Sequence, residues 1–221
     1  MISVLVLYDD CWHPAETVMR SLKQLETQTF YFDYVCAPRD ILSNDMIRHY
    51  DVIVLARGNT FSAALHDAPW FSSDWCEVMP EDFRRYIEEG HGFLSLHAGN
   101  AYRKDDCPQM VELTGNEFRF HPPQCQVTVM ATGNHEIVRG FRGFTARDEH
   151  YVIDVCTKEA DVFLESVSDT PAGRQIAGYT RSLGKGRLCV LTPGHTLSAL
   201  SNPEYLKLIN NALIWCAGKN G

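Results

Sequence analysis

The sequence predicts an α/β fold with a mostly parallel central sheet and an antiparallel extension at one edge. Two short, continuous apolar runs, at residues 2–8 and 51–55, are typical of parallel strands that are buried on both faces. Stretches with helical spacing of apolar residues follow such runs in the first half of the chain. In the second half several extended stretches follow one another, which indicates antiparallel strands added to the parallel sheet.

The first half of the chain alternates strands with helices. The strand at 2–8 ends in a polar loop, and residues 15–25 follow as a helix because their apolar side chains recur at helical spacing. Residues 30–36 alternate aromatic and polar side chains, as a half-buried strand does. Residues 50–56 form the next buried strand, and 80–89 form a helix that begins at a proline and ends before a glycine.

The apolar run at residues 93–96, with Gly92 before it and Gly99 after it, predicts the central strand of the sheet. The turn that follows contains His97 and Asn100. In open α/β sheets the carboxyl ends of the strands form the crevice that binds ligands, so His97 is a candidate functional residue. The alternative is a structural histidine that bonds a backbone carbonyl.

The second half of the chain is mainly extended. A short helix at 108–115 precedes a long extended segment at 118–132. Three further extended stretches follow, at 151–155, 162–167 and 175–180. A glycine-bounded turn leads to a buried strand at 187–192, and a final amphipathic helix starts at about residue 203 and covers one face of the sheet.

The charge and hydropathy of the chain argue against some classes of binding partner. The net charge of −8 and the isoelectric point near 5.5 argue against nucleic acid, since phosphate binding needs a basic patch. No apolar segment approaches the roughly 20 residues of a membrane span, and no positively charged segment precedes the first strand. We therefore expect a cytoplasmic protein with no membrane or nucleic-acid partner. We also expect one domain over residues 1–221, and whether the chain forms a homo-oligomer is left open.

The cysteines indicate a reducing compartment. Eight are spread along the chain, and none forms a Cys-x-x-Cys pair. In a chain without a signal peptide this pattern predicts reduced thiols, several of them in the core, and neither a disulfide framework nor a zinc knuckle.

A second histidine, His195, also lies just beyond a buried strand and beside a glycine, Gly194. Because the ends of parallel strands meet at one rim of the sheet, we expect His97 and His195 to belong to one site. Independent structural roles for the two are the alternative.

Residues 147–151 place two carboxylates, a histidine and a tyrosine beside an extended segment. Adjacent residues of a strand face opposite ways. Either Glu149 and Tyr151 point into a site while Asp148 and His150 point away, or the reverse. A solvated charged loop is the alternative interpretation.

The loop after the first strand contains Asp9, Asp10 and His13, which would lie on the same rim as His97. The alternative role for the two aspartates is to cap the following helix. His121, which precedes two prolines, is a weaker candidate.

In its ordered motifs the chain resembles the ThuA-like (trehalose utilisation) family. The matching stretches are 92–99 (GFLSLHAG), 134–140 (NHEIVRG), 148–151 (DEHY), 184–187 (GKGR), 193–196 (PGHT) and 210–215 (NNALIW). Together they cover nearly the whole chain, and the ordered set is more specific than any single motif.

The resemblance implies a flavodoxin-like three-layer sandwich of the class I glutamine amidotransferase-like superfamily. In that superfamily a cysteine nucleophile follows the central strand, and a later histidine activates it. Here His97 occupies the nucleophile's place and His195 lies near the base's place, whereas Leu197 stands where a glutamate is expected. The chain is therefore not expected to be a thiol-dependent glutamine amidotransferase.

The resemblance also implies carbohydrate catabolism, with a disaccharide or an oxidised sugar derivative as substrate of a hydrolase, lyase or isomerase. Carried over residue by residue, the functional candidates are His13, His97, Glu149, Tyr151 and His195. We assign catalysis to His97, His195 and Glu149. We assign substrate binding to His13, Tyr151, Asn100, Asn59 and Trp12. At Asn59 some relatives have a histidine after the glycine that ends the third strand, so this chain lacks that imidazole.

Two function classes follow. In the first, His97, His195 and Glu149 act as acid and base groups, or with His13 they bind a divalent metal such as zinc. In the second, the chain is a non-catalytic sugar-binding module, lined by Trp12 and Tyr151, that serves a partner enzyme.

Overall fold

The computed structural model describes residues 1–36, 38–63, 69–72 and 76–219, which form a nine-stranded sheet, a separate two-stranded ribbon and helices on both faces of the sheet. The strands are β1 (Ile2–Tyr8), β2 (Phe30–Val35), β3 (Val52–Ala56), β4 (Gly92–Leu96), β5 (Asn116–Phe120), β6 (Cys125–Ala131), β7 (Phe144–Asp148), β8 (Val152–Val155), β9 (Asp161–Val167), β10 (Arg174–Leu183) and β11 (Gly186–Leu191). The helices are α1 (Ala15–Leu22), α2 (Pro38–Ile41), α3 (Asn44–Ile47), α4 (Pro80–Glu88), α5 (Pro108–Thr114), α6 (Leu197–Leu200) and α7 (Pro203–Cys216).

The strand order of the large sheet is β2-β1-β3-β4-β11-β10-β9-β6-β7. The first five strands are parallel, and their order is that of flavodoxin-like sheets, with β11 as the fifth strand. Each of the last four strands runs antiparallel to its neighbours. The predicted mostly parallel sheet with an antiparallel extension is therefore confirmed.

The sheet separates two apolar clusters, because successive side chains of a strand face opposite ways. Val4 and Val6 of β1 belong to the cluster that includes α1 and α7, whereas Leu5 and Leu7 belong to the one that includes α4 and α5. All four side chains are fully buried. This gives the three layers that the sequence predicted. Of the helices described, none is long and apolar enough to cross a membrane.

Some local predictions differ from the structure. The segment 118–132 does not form one strand: its chain breaks at a histidine followed by two prolines, and β5 and β6 lie in different sheets. The stretch 151–155 does not extend the large sheet, because β8 pairs with β5. The four-residue helices α2, α3 and α6 are too short for a helical period to be visible in the sequence. All eight cysteines are free thiols in the structure, and four of them, Cys76, Cys107, Cys189 and Cys216, are buried.

Candidate metal centre and ligand cavity

The candidate site lies where the loops after the parallel strands meet. His13 follows β1, His97 directly follows β4, His195 follows β11, and Glu149 directly follows β7. One ligand atom from each of these four side chains, a ring nitrogen or a carboxylate oxygen, lies within 4.8 Å of the others. We call these residues the His/Glu cluster. The structure thus brings together residues that are up to 182 positions apart in the chain.

The turn after β4 fixes the position of His97. Its backbone has φ of 42°, a left-handed conformation that is uncommon outside glycine and frequent at functional sites. Gly99 lets this turn pack against β3, because a Cβ there would lie 2.2 Å from the carbonyl oxygen of Leu55. His97 itself is 3% exposed.

The hydrogen bonds of His97 identify its protonated nitrogen. Its Nδ1 lies 2.8 Å from the carbonyl oxygen of Thr192, which can only accept, so Nδ1 bears the proton. Burial lowers the pKa of His97, and the nearby Glu149 offsets this only in part, so the ring is neutral. Its Nε2 then presents a lone pair to Glu149 Oε2, 3.6 Å away. Two acceptors that face each other are unfavourable unless a cation lies between them.

Glu149 is the acidic member of the cluster. Burial alone would raise its pKa, but the hydrogen-bonding capacity and charge of His195 contribute to holding that pKa well below its ordinary value. Burial opposes protonation of His195, yet the carboxylate, 3.1 Å from its Nδ1, raises the pKa of His195. Neither contact has hydrogen-bond geometry, so His97 Nε2 and His195 Nδ1 are both buried near the carboxylate without a hydrogen-bond partner among the described residues.

His13 completes the cluster from the opposite side. Its Nδ1 lies 2.8 Å from Asp10 Oδ1, and its ring centroid is 5.0 Å from those of both His97 and His195. Its Nε2 lies 3.5 Å from the hydroxyl of Tyr151. The sequence analysis assigned His13 to substrate binding or to the set of metal ligands, and the structure places it beside the catalytic candidates.

The donor set fits a divalent metal ion. Ligand atoms in a tetrahedral zinc site, with bonds of about 2.0–2.1 Å, are roughly 3.3 Å apart. The distances from Glu149 Oε2 to His195 Nδ1 and His97 Nε2, 3.1 and 3.6 Å, bracket that value. In metal sites the second ring nitrogen of a ligating histidine usually donates to a carboxylate or a backbone carbonyl. His13 and His97 both have such a partner.

The segment 147–151 resolves the alternatives left open by the sequence. Glu149 and Tyr151 face the cluster, whereas Asp148 and His150, each 1% exposed, face away from it. Asp148 accepts three consecutive backbone N–H groups of the loop after β11, at 2.7, 2.8 and 3.1 Å. Both ring nitrogens of His150 bond serine hydroxyls. The interpretation as a solvated loop is therefore wrong, and Asp148 joins the two loops that present Glu149 and His195.

A cavity of about 810 Å³ opens next to the cluster. Trp12, Asn59 and Tyr151 line it, and the side chain of Trp12 is 71% exposed at its rim. Asn100 does not line it, contrary to its assignment to substrate binding. Asn100 is fully buried and its amide donates to backbone carbonyls at the ends of β4 and β11, so it supports the turn from beneath.

His121 is the residue that sequence reasoning undervalued. Its Nε2 lies 3.6 Å from Glu149 Oε2 on the cavity side. Its Nδ1 lies 2.9 Å from the carbonyl of Pro122, which can only accept, so Nδ1 bears a proton and Nε2 is the nitrogen that faces Glu149. Its position depends on the loop between β5 and β6, and no local pattern indicated where that loop folds. The charged residues of the same wall, Arg103, Asp105 and Asp106, were also missed.

Comparisons with known proteins agree with this architecture. The family model described as ThuA, trehalose utilisation, matches residues 4–216. No curated protein sequence matches the chain. A ThuA-like protein from Parabacteroides merdae is 18% identical, with 99% of this chain and 91% of that chain covered and a TM-score of 0.76.

Two other solved structures are similar in fold. A cytoplasmic protein from Salmonella typhimurium LT2 is 14% identical, with 98% of each chain covered and a TM-score of 0.66. A glutamine amidotransferase from Thermotoga maritima is 13% identical, with 98% of each chain covered and a TM-score of 0.62. The latter confirms the class I glutamine amidotransferase-like fold, although this chain has His97 after the central strand.

Proposed function

This chain belongs to the ThuA family, whose description, trehalose utilisation, indicates a sugar-related role, and from that premise we propose that it is an enzyme that acts on an uncharged sugar derivative at a divalent metal ion. The proposed ligands are His13, His97, Glu149 and His195. The observation that supports this most strongly is the convergence of four ligand atoms within 4.8 Å of one another, where His97 Nε2 is buried without a hydrogen-bond partner among the described residues, 3.6 Å from Glu149 Oε2. A bound ion would polarise a carbonyl group or activate water.

Two further side chains supply groups that can hold or move a proton beside the cluster. Burial raises the pKa of Tyr151 well above its ordinary value, so its hydroxyl stays protonated and donates hydrogen bonds. His121 presents its Nε2 at the wall of the cavity, 3.6 Å from Glu149. His121 would therefore accept a proton from a bound substrate or return one, as a hydrolase, lyase or isomerase requires.

The charge of the cavity favours an uncharged substrate. Among the described residues, the charged groups that line it are four carboxylates, those of Asp10, Asp105, Asp106 and Glu149, and one guanidinium, that of Arg103. A divalent cation would still leave a negative balance, which disfavours phosphorylated sugars and sugar acids. The cavity volume of about 810 Å³ lies within the range of roughly 300–1,000 Å³ of small-molecule sites. A disaccharide or a keto-sugar fits both properties.

The test is a thermal-shift panel on metal-depleted and zinc-loaded protein, with uncharged disaccharides, keto-sugars and sugar phosphates as probes, followed by product analysis. We expect zinc to raise the melting temperature, uncharged sugars to raise it further, and a product to form only with metal. Equal turnover before and after chelation would refute the proposed catalytic role of the metal ion. Stronger stabilisation by sugar phosphates than by uncharged sugars would refute the assigned substrate charge.

A sugar-binding module without turnover is the second candidate. The exposed indole of Trp12 favours it, because such a ring at the rim of a polar cavity is suited to stacking on a sugar. Sugar binding with no product at any metal loading or pH would support this candidate over the enzyme.

A further inference from the structure

Asp10, which follows β1, is 1% exposed and joins two loops at the rim of the sheet. Its Oδ1 accepts the backbone N–H groups of Trp12 and His13, at 2.8 and 3.0 Å. Its Oδ2 accepts the N–H of Gly58, in the loop after β3, at 2.7 Å. The first two contacts are those of an aspartate that stabilises its own turn. The third connects the loops after β1 and β3.

A fourth contact of Asp10 is not explained by a turn. Its Oδ1 also lies 2.8 Å from Nδ1 of the His13 imidazole. Both oxygens of this carboxylate already accept backbone N–H groups. Oδ1 is therefore an acceptor toward the imidazole too, so His13 bears a proton on Nδ1, and Nε2 is the nitrogen that faces the cluster.

We propose that Asp10 is a positioning residue that holds His13 in the tautomer whose Nε2 binds the metal ion; this inference rests on the proposed metal function. His97 is held in the same way, but by the backbone carbonyl of Thr192, which no side-chain substitution removes. Of the three histidines of the His/Glu cluster, only His13 has its outward-facing ring nitrogen bonded by a side chain among the residues the structure describes. Asp10 is therefore the one position where this orientation can be tested by substitution.

The competing role for Asp10 is purely structural, since it also joins Gly58 to the turn of His13. The two roles predict different dependence on the imidazole. If Asp10 acts through His13, its substitution should matter only while His13 is present. If Asp10 acts only through the backbone, its substitution should weaken the site equally with or without that imidazole. A double-mutant cycle separates the two.

The experiment measures zinc affinity, by competition with a chelating dye, in the wild type, Asp10→Asn, His13→Ala and the double variant. Asparagine keeps the size of the side chain and removes its charge. We expect Asp10→Asn to weaken zinc binding about 10- to 100-fold and to have no further effect in the His13→Ala background. Asp82→Asn is the matched control: Asp82 is also a buried aspartate that accepts a backbone N–H and pairs with an arginine, but it lies at the start of α4.

Each outcome decides the proposal. Equal weakening of zinc affinity in both backgrounds, or no weakening in Asp10→Asn, would overturn it while leaving the metal function standing. A wild type that binds no zinc would refute the metal function itself, and with it this role of Asp10. Nitrogen chemical shifts of the His13 ring in the metal-free wild type need no substitution and cover the case in which Asp10→Asn does not fold. We expect the proton on Nδ1, and a proton on Nε2 would overturn the proposal.

Discussion

Replacing Glu149 with glutamine should remove most of the stabilisation that zinc gives the protein. Glutamine matches glutamate in size, so the buried position beside His97 and His195 stays filled. The substitution removes the only anionic ligand atom of the cluster. A neutral amide oxygen attracts a dication much less strongly, because the interaction of two opposite charges in a buried site is lost.

The size of the effect follows from mass action. At a zinc concentration 100 times the dissociation constant, a native-state ligand stabilises by about 2.7 kcal/mol. For a chain of 221 residues, each kcal/mol shifts the melting temperature by roughly 2–4 °C, so the wild type should gain about 5–11 °C. If Glu149→Gln weakens binding 100-fold, the same zinc concentration stabilises by only about 0.4 kcal/mol. The variant should then gain roughly 1–2 °C.

The assay is differential scanning fluorimetry of chelator-treated protein with and without zinc. Glu117→Gln is the matched control, because Glu117 is also a largely buried glutamate but pairs with Lys104 and Arg119 outside the cluster. The control should respond to zinc like the wild type. A Glu149→Gln variant with the full zinc response would refute the ligand assignment.

The remaining predictions concern the turn, the rim and the effect of pH. Gly99→Ala should destabilise by about 1–3 kcal/mol in urea unfolding, since its Cβ would lie 2.2 Å from a carbonyl oxygen of β3; unchanged stability would contradict the packing of this turn. Trp12→Ala should weaken sugar binding in calorimetry without changing zinc affinity, and an unchanged sugar affinity would exclude stacking on the indole. Burial lowers the pKa of His97, His135 and His150 below the ordinary 6.5, so below that pH the unfolded chain binds more protons than the folded one. The metal-free protein should therefore lose stability in urea unfolding from pH 7 to pH 5. The raised pKa of His195 offsets part of this loss. Constant stability over this range would contradict the lowered pKa values of His97, His135 and His150.

The central parallel strands were predictable because burial on both faces leaves a continuous apolar run in the sequence. Those runs also located His97 and His195, since the end of a buried strand marks the rim of the sheet. The rule that neighbouring residues face opposite ways limited the segment 147–151 to two choices. Only tertiary structure decided between them, because the segment includes the end of β7 and the turn to β8, and its orientation is set by the bonds of Asp148 to the loop after β11.

The rest of the site depends on contacts between distant parts of the chain. His121 reaches Glu149 through a loop whose path depends on the separate β5–β8 ribbon, and that pairing has no local signal. Asn100 was assigned to substrate binding and lies in the same turn as His97, but its amide nitrogen donates hydrogen bonds to two backbone carbonyls. The sequence did not decide whether Asp10 caps a helix or has a functional role. In the structure three of its contacts are to backbone N–H groups of two loops, and the fourth is to the imidazole of His13.

Zinc stoichiometry tests the central claim most directly. Equilibrium dialysis of chelator-treated protein against zinc, followed by elemental analysis, should give one bound ion per chain in the wild type. It should give none in the His97→Ala, His195→Ala double variant, whose metal-free melting profile should still show a folded protein. An equal zinc content in both proteins, or none in the wild type, would contradict the claim that these imidazoles and Glu149 form a metal centre.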